Sequence, residues 1–244
     1  MEYKFYISYM EIYNENCYDL LNRDHIDVPL EQWSKVTMLQ DEQGNLKLKN
    51  ISLHQCETDQ NAVDLLLMGN FMKQVCATPM NQFSSRSHSI FTIIIDGKSK
   101  VDGTSFKSKL HLIDLAGSER ISKGHLEGNL ITETKHINLS LTYLEQVIIA
   151  LKGLQQGKKT HIPYRNSAMT MILKDSLGGN CRTSLITCLS IDPENFEETI
   201  STCRFAQRCG QLEMVVKKNE VVDYPTQLKR LKSENATLLK YSVE

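Results

Sequence analysis

Apolar and polar positions change their period along the chain, and these changes predict where strands and helices lie. Residues 3–13 alternate in part and are rich in aromatic and β-branched side chains, which predicts a strand. Two segments, 36–39 and 46–51, flank a polar Asp-Glu-Gln-Gly-Asn segment, which predicts a hairpin. The same criteria predict further strands at residues 89–95, 110–115 and 184–191.

Helical periodicity is strongest between residues 130 and 151, where six apolar residues repeat on one helical face: Leu130, Ile137, Leu141, Leu144, Ile148 and Leu151. Local signals predict four more helices: a short turn at 17–21, a helix capped by Thr58 or Asp59, one capped by Ser167 that ends near Leu177, and one begun by Asp192-Pro193-Glu194. Strands that alternate with helices predict an α/β fold with a central sheet.

The C-terminal part of the chain has a different pattern. Residues 215–224 are predicted to be extended, and Leu228, Leu231, Asn235 and Leu238 then follow at coiled-coil spacing. Two heptads are too few to establish a coiled coil, so a surface helix remains an equal alternative for residues 226–244.

Composition excludes several classes of protein. Hydrophobic residues make up 41% and charged residues 23% of the 244 residues, and the formal net charge is −1. A nucleic-acid or membrane footprint over the whole surface is therefore not expected, and neither partner is predicted.

No apolar run is long enough to span a bilayer, and Met1 is followed by Glu-Tyr-Lys rather than an apolar signal region. Seven scattered cysteines without a C-x-x-C pair favour a reduced intracellular compartment.

One segment departs from this near-neutral balance. Between Glu145 and Asp175 there is no acidic residue, while five basic residues occur: Lys152, Lys158, Lys159, Arg165 and Lys174. Such a stretch fits a contact with an acidic partner, and on charge alone a solvated basic loop is an equal alternative.

Two short motifs carry candidate phosphate chemistry. The strand at 110–115 runs into Asp114-Leu115-Ala116-Gly117, a D-x-x-G sequence whose acid can reach Mg²⁺ through water and whose glycine N–H can approach a phosphate. The polar loop at 81–88 adds hydroxyls that can ligate Mg²⁺ and an arginine, Arg86, that can pair with a carboxylate such as Glu119. Taken singly, each is more commonly a tight or polar turn.

In combination the motifs are far more specific. N-x-x-S-S-R-S-H at 81–88, followed by D-L-A-G-S-E at 114–119, closely resembles switch I and switch II of the kinesin motor superfamily. Three further segments agree in the same order: E-I-Y-N-E at 11–15, H-I-P-Y-R at 161–165 and D-S-L-G-G-N-C at 175–181. The resemblance covers roughly residues 3–210. Within the superfamily, Leu139 and residues 143–151 look most like the ninth subfamily, which is associated with cilia and flagella.

The resemblance implies an α/β fold of the three-layer, P-loop NTPase-like kinesin type, with a central mixed sheet flanked by helices. It also implies ATP and Mg²⁺ as cofactors and in-line attack by water. Four residues would take catalytic roles: Ser84 orients the water, Ser85 ligates Mg²⁺ or contacts the γ-phosphate, and Arg86 and Glu119 form an ion pair between the switches.

The nucleotide-sensing set implied by the resemblance is Asn81, Ser85, Asp114 and Gly117. Asp114 would hold the metal through water, and the N–H of Gly117 would sense the γ-phosphate. Loss of that phosphate would release both switches, and the helix that begins near Leu130 would relay the change.

The resemblance implies that the acidic partner of the basic segment is tubulin. The expected microtubule contacts are Lys158, Lys159, His161, Arg165 and Lys174. Many kinesins carry basic residues where this chain has Leu139, Ala168 and Met171, so its binding to microtubules is expected to be weaker or differently built. The sequence after Arg208 also departs from the usual neck entry, which places docking of residues 215–221 in question.

One expected motif is missing from the sequence. No G-x-x-x-x-G-K-[ST] occurs, since Gly97-Lys98-Ser99 has Thr92 where the first glycine is required. Residues 1–214 are therefore expected to be the C-terminal two-thirds of a motor domain, followed by a neck-linker-like segment at 215–225 and the start of a helix or coiled coil, through which a homodimer could form. The fragment alone is not expected to hydrolyse ATP.

Two other functions share part of this sequence pattern. A kinesin-like module that holds microtubules without hydrolysis is the alternative, although the intact switch residues argue against it. A small GTPase shares D-x-x-G but needs an N-K-x-D segment, which is absent. The expected location is the cytoplasm and the microtubule cytoskeleton, with the cilium or flagellum as the finer possibility.

Overall fold

A computed structural model describes residues 1–42, 46–75, 87–100, 104–117, 129–217 and 219–221, together with 228, 231–233 and 235. The strands are β1 (Glu2–Tyr13), β2 (Asn16–Asp19), β3 (Lys35–Gln40), β4 (Leu46–Lys49), β5 (His54–Cys56), β6 (His88–Lys98), β7 (Ser105–Asp114) and β8 (Glu220–Val221). The α-helices are α1 (Asp59–Val75), α2 (Asn129–Gln155), α3 (Ala168–Ile172), α4 (Lys174–Gly178) and α5 (Phe196–Cys209).

The strands form one sheet in the order β4-β3-β2-β1-β6-β7-β8, and β5 pairs with β1 beside this path. Each strand pair in the described residues is antiparallel. β1 and β6 pair along almost their whole length, from Glu2 opposite Lys98 to Ile12 opposite His88. These two long strands form the centre of the sheet and fix the register of the elements around them.

The alternation along β1 places apolar side chains on both faces of the sheet. Met10 and Ile12 pack with α2 and α3, whereas Ile7 and Tyr9 pack on the opposite face, where α1 lies. α1 approaches β1 so closely that a Cβ atom on Gly69 would lie 2.1 Å from the Tyr9 ring. The predicted arrangement of a sheet between two helical layers is thereby confirmed.

The hairpin between β1 and β2 corrects one sequence prediction. Residues 17–21 were expected to form a helical turn, but Asn16–Asp19 is a strand paired with β1. Asn14 and Glu15 both adopt positive φ, at 51° and 61°, which is the backbone that a two-residue hairpin of type I′ requires. The turn therefore overrides the weak helical signal and places Cys17 and Tyr18 in the sheet.

The helix caps follow the sequence closely. The Thr58 hydroxyl accepts from the Asn61 N–H at 3.2 Å, and the Asn61 side chain accepts from the Thr58 N–H at 3.3 Å. Thr58 is therefore the N-cap residue of α1. Ser167 caps α3, although the single helix predicted after it is divided into α3 and α4. None of the described helices is long and apolar enough to cross a membrane.

The strand predicted at residues 184–191 is wrong. This segment has no ladder in the described part of the chain, and Ile186 and Ile191 are 90% and 102% exposed. In the described part of the chain, the second side of β7 pairs only at Ser105 and Phe106, where it meets β8. An apolar β-branched pattern predicts extended backbone, but a strand also needs a neighbour to supply its hydrogen bonds.

Candidate functional site

Five of the predicted site residues lie outside the described residues, namely Asn81, Ser84, Ser85, Arg86 and Glu119. The expected ion pair between the switches therefore stays a prediction. Asp114 and Gly117 are described, as are Ser87 and His88, the last two residues of the polar loop motif. These four show how the two motifs are arranged relative to each other.

Antiparallel pairing brings the two motifs to one end of the sheet. Ser89 near the start of β6 lies opposite Asp114 at the end of β7. The polar loop at 81–88 leads into β6 and the D-x-x-G segment leads out of β7, so their described ends are neighbours. The sequence predicted both motifs, and the register of β6 with β7 is what places them together.

A lysine that sequence reasoning missed lies between the motifs. Lys73 near the end of α1 is largely buried, with its Nζ 3.8 Å from the Asp114 carboxylate and 3.4 Å from the Ser89 hydroxyl. Asp114 itself is 76% exposed. The ion pair therefore ties α1 to the end of β7 while leaving most of the Asp114 carboxylate accessible. No local sequence signal identifies Lys73, because its partners come from other elements.

Beneath this pair lies a buried carboxyl group. Glu11 in β1 is 3% exposed, and the Ser87 hydroxyl donates to its Oε1 at 2.5 Å. Burial raises the pKa of Glu11, while the Ser87 hydrogen bond and the Lys73 charge act in the opposite direction. Glu11 belongs to the E-I-Y-N-E segment, but its bond to the polar loop emerges only from the fold.

His88 makes the second buried connection. Its Nδ1 accepts from the Ala116 N–H at 2.9 Å, and its Nε2 lies 2.8 Å from the Ser140 hydroxyl in α2. Burial and the Lys73 charge lower the pKa of His88 to about 4, against the opposing effect of Asp114. The ring is therefore neutral near pH 7 and lies between the D-x-x-G segment and α2.

This end of the sheet fits part of a site for a metal nucleotide. Among the residues that the structure describes, no group of three or more His, Cys, Asp or Glu side chains could hold a metal directly. A single accessible carboxylate such as Asp114 suits Mg²⁺, which keeps several waters and takes one or two carboxylates. Among the described residues, the Asp114 carboxylate is therefore a candidate for contact with metal-bound water.

The basic segment begins where α2 ends. Gly157 has φ +82°, its N–H bonds the Leu154 carbonyl at 3.0 Å, and the Lys158 N–H bonds the Gly153 carbonyl at 3.0 Å. This pair of bonds is a Schellman motif, which ends the helix and turns the chain outward. Four of the predicted contacts, Lys158, Lys159, His161 and Arg165, are exposed, whereas Lys174 at the start of α4 is half-buried.

Two hydrogen bonds anchor the rest of this loop to the sheet. The Glu15 carboxylate in the β1–β2 turn accepts from the Ala168 N–H at 2.7 Å, where α3 begins. Arg165 donates to the Gln40 side chain at 2.7 Å, next to the end of β3. Ala168 is buried and apolar, so this position offers no charge to a partner.

The segment after α5 lies against α2 and the loop at 180. The Gln155 side chain both donates to the Glu213 carbonyl and accepts from its N–H, at 2.7 and 3.1 Å. The Asn180 side chain likewise donates to the Lys217 carbonyl at 2.7 Å and accepts from the Lys217 N–H at 2.6 Å. These four hydrogen bonds hold Glu213 and Lys217 against α2 and the loop at 180, and docking of residues 215–221 as a neck linker stays a prediction.

Comparison with known proteins agrees with this geometry. A family model described as the kinesin motor domain matches residues 1–212. Kinesin-like protein KIF9 of Mus musculus is 40% identical over 234 residues, and chromosome-associated kinesin KIF4 of Gallus gallus is 42% identical over 213 residues. These matches cover 95% and 87% of this chain. The chain belongs to the kinesin motor domain family.

Solved structures give the same result for the fold. A fast kinesin matches with a TM-score of 0.78 at 38% identity, and a KIF14 dimer in complex with a microtubule matches with a TM-score of 0.79 at 34% identity. Each covers 91% of this chain, which in turn covers 60% and 61% of those chains. Against the two curated relatives the chain spans 29% and 17% of their length.

Proposed function

We propose that this chain is the microtubule-binding and phosphate-sensing part of a motor that couples ATP hydrolysis to movement along microtubules. One observation carries the proposal: α2 contacts His88 beside the Ala116–Gly117 segment and ends at Gln155, shortly before the exposed basic residues Lys158 and Lys159. A change at the nucleotide end can therefore reach the basic surface through one helix. The KIF14 relative solved on a microtubule supports the choice of partner.

The residues at the nucleotide end have distinct roles in this proposal. Asp114 holds the waters of Mg²⁺, and the N–H of Gly117 faces the terminal phosphate. Ser84, Ser85 and Asn81 complete the pocket, and Arg86 pairs with Glu119 when the pocket closes. ATP with Mg²⁺ supplies the phosphoryl group and the charge neutralisation that its transfer to water needs.

The location and assembly follow from the same proposal. A microtubule motor belongs to the cytoskeleton, and the resemblance of Leu139 and residues 143–151 to the ninth kinesin subfamily supports a ciliary or flagellar member. A homodimer through residues 226–244 is proposed on their heptad spacing. In the described part of this region residues 228, 231–233 and 235 are helical, and Leu228 and Leu231 are each 56% exposed.

The test of this proposal is co-sedimentation of the purified chain with microtubules at increasing salt. Reversal of two charges, with Lys158→Glu and Lys159→Glu together, is expected to weaken binding by at least about fivefold, because exposed ion pairs contribute about 0.2–1 kcal/mol each and reversal adds repulsion. The matched control reverses two exposed lysines at the far end of β6, Lys98→Glu and Lys100→Glu, and is expected to bind as the wild type does.

The same preparation also tests catalysis. With no P-loop motif in the sequence, the chain is expected to show no microtubule-stimulated ATP hydrolysis above a Glu119→Ala control. Equal binding by the two double variants would overturn the assignment of the microtubule surface. Turnover by the wild type above the Glu119→Ala control would overturn the expectation of inactivity.

A further inference from the structure

His88 connects three elements that the sequence keeps apart. It is the first residue of β6 and is 4% exposed, so its ring is enclosed by its partners. One ring nitrogen contacts the Ala116 N–H after β7, and the other contacts Ser140 in α2. The D-x-x-G segment and α2 are separated by residues 118–128 along the chain, but the His88 ring joins them directly in space.

The two contacts permit only one state of the ring. A peptide N–H can only donate, so the Nδ1 that receives the Ala116 bond carries no proton. In a neutral ring the proton then lies on Nε2, which donates to the Ser140 hydroxyl. If Nδ1 carried a proton, its N–H would face the Ala116 N–H, and neither group could accept a hydrogen bond from the other. The imidazole is therefore a bridge with a fixed direction, accepting from one side and donating to the other.

We propose that His88 is a positioning residue that couples the orientation of the Ala116–Gly117 segment to that of α2. The ring is planar and rigid, so a shift of one partner that turns the ring also changes the hydrogen bond to the other partner. This inference rests on the proposed function, in which the Gly117 N–H faces the terminal phosphate and α2 leads to the microtubule surface. A buried histidine that only fills space would stabilise both segments without linking them.

Two substitutions separate the two halves of the bridge. His88→Asn places an oxygen near the position of Nδ1 and keeps an acceptor for the Ala116 N–H, but it does not reach Ser140. His88→Gln reaches toward Ser140 with its amide and leaves no acceptor near Nδ1. Hydrogen exchange of the Ala116 amide is expected to accelerate about tenfold in His88→Gln and to stay within about threefold of the wild type in His88→Asn.

Coupling is tested by removing the partner in α2. Ser140→Ala is expected to shift the NMR signals of the Ala116 and Gly117 amides when His88 is present, and to leave them unchanged in the His88→Asn background. His54→Gln, at a histidine that contacts Ser52 beside β5, is the matched control and should leave both amides unaffected. A purely packing role predicts equal effects of both His88 variants and no dependence on Ser140.

The wild-type chain decides the proposal even if a His88 variant does not fold. The ¹⁵N signals of its ring should show a bare Nδ1 and a protonated Nε2 near pH 7. A proton on Nδ1, or a Ser140→Ala variant that leaves the Ala116 and Gly117 signals unchanged, would overturn the coupling. The measurements use neither nucleotide nor microtubules, so a failure of microtubule binding and a failure of this bridge are observed separately.

Discussion

The two regions to which we assign a function are built in opposite ways. Where β6 begins and β7 ends, Glu11, Ser87 and His88 are almost completely buried, and each has a hydrogen-bond partner at a short distance. At the end of α2, the charged groups of Lys158 and Lys159 lie in solvent. The first region depends on the position of single atoms, whereas the second depends on the total charge that a loop presents.

This difference determines how each region responds to change. A buried polar group that loses its partner pays its full desolvation cost, because no water is available to replace the bond. An exposed charge is already solvated and screened, so the loss of one changes the interaction with a partner only slightly. We therefore expect single substitutions to affect the buried cluster much more strongly than the basic surface.

The largest effect is expected from Ser87→Ala. This variant removes the donor to the Glu11 carboxyl and leaves a buried oxygen without its partner, which should lower the free energy of unfolding by about 1–3 kcal/mol. Urea denaturation monitored by circular dichroism measures the change. Ser201→Ala on the exposed side of α5 is the matched control and should change stability by less than about 0.5 kcal/mol. If the free energy of unfolding fell equally in the two variants, the hydrogen bond between Ser87 and Glu11 would contribute no more to stability than an exposed serine does.

The contrast also explains what the sequence could predict. The exposed surface was found from composition alone, since five basic residues without an acidic one between Glu145 and Asp175 need no fold to be noticed. The buried cluster could be predicted only in part. Asp114 and Gly117 belong to a local motif, but Lys73 and Ser140 join the site through contacts between distant elements, which no local pattern reports.

The fold shows the same limit. Caps, the long helix and the central strands were predicted because their signals are local, as at Thr58 and along α2. The strand at 184–191 was predicted wrongly because a strand is a property of two neighbouring segments. The helical turn at 17–21 was wrong because two positive-φ residues, Asn14 and Glu15, could not be recognised as a type I′ turn from their identities alone.

A smaller effect, visible in the pH dependence, is expected from Glu11→Gln. Burial raises the pKa of Glu11 in the folded chain, so the folded state binds this proton more tightly than the unfolded state does. The free energy of unfolding of the wild type should therefore fall as pH rises from the ordinary glutamate pKa through the raised value, and then level off. Glutamine can still accept from Ser87 but does not ionise, so the variant lacks this decrease.

The measurement is the difference in unfolding free energy between Glu11→Gln and the wild type from about pH 4 to 8. The difference should increase with pH in favour of the variant. Burial raises the pKa of Tyr9 and of Tyr18, which both interact with Glu11, so both stay protonated in this range, and subtraction removes effects common to both proteins. Glu57→Gln at an exposed site is the control. A difference that stays constant with pH would contradict a raised pKa at Glu11.

The smallest effect is expected from Gln40→Ala, which removes the hydrogen bond between the basic loop and the end of β3. Both Arg165 and Gln40 are exposed, so water replaces the 2.7 Å contact when the amide is lost. Stability should change by less than about 0.5 kcal/mol and microtubule affinity by less than about twofold, because the Arg165 charge remains. Co-sedimentation beside Arg165→Ala, which removes that charge, gives the comparison. If Gln40→Ala weakened binding as much as Arg165→Ala, the geometry of the basic loop would matter as much as its charge, and the distinction between the two regions would fail.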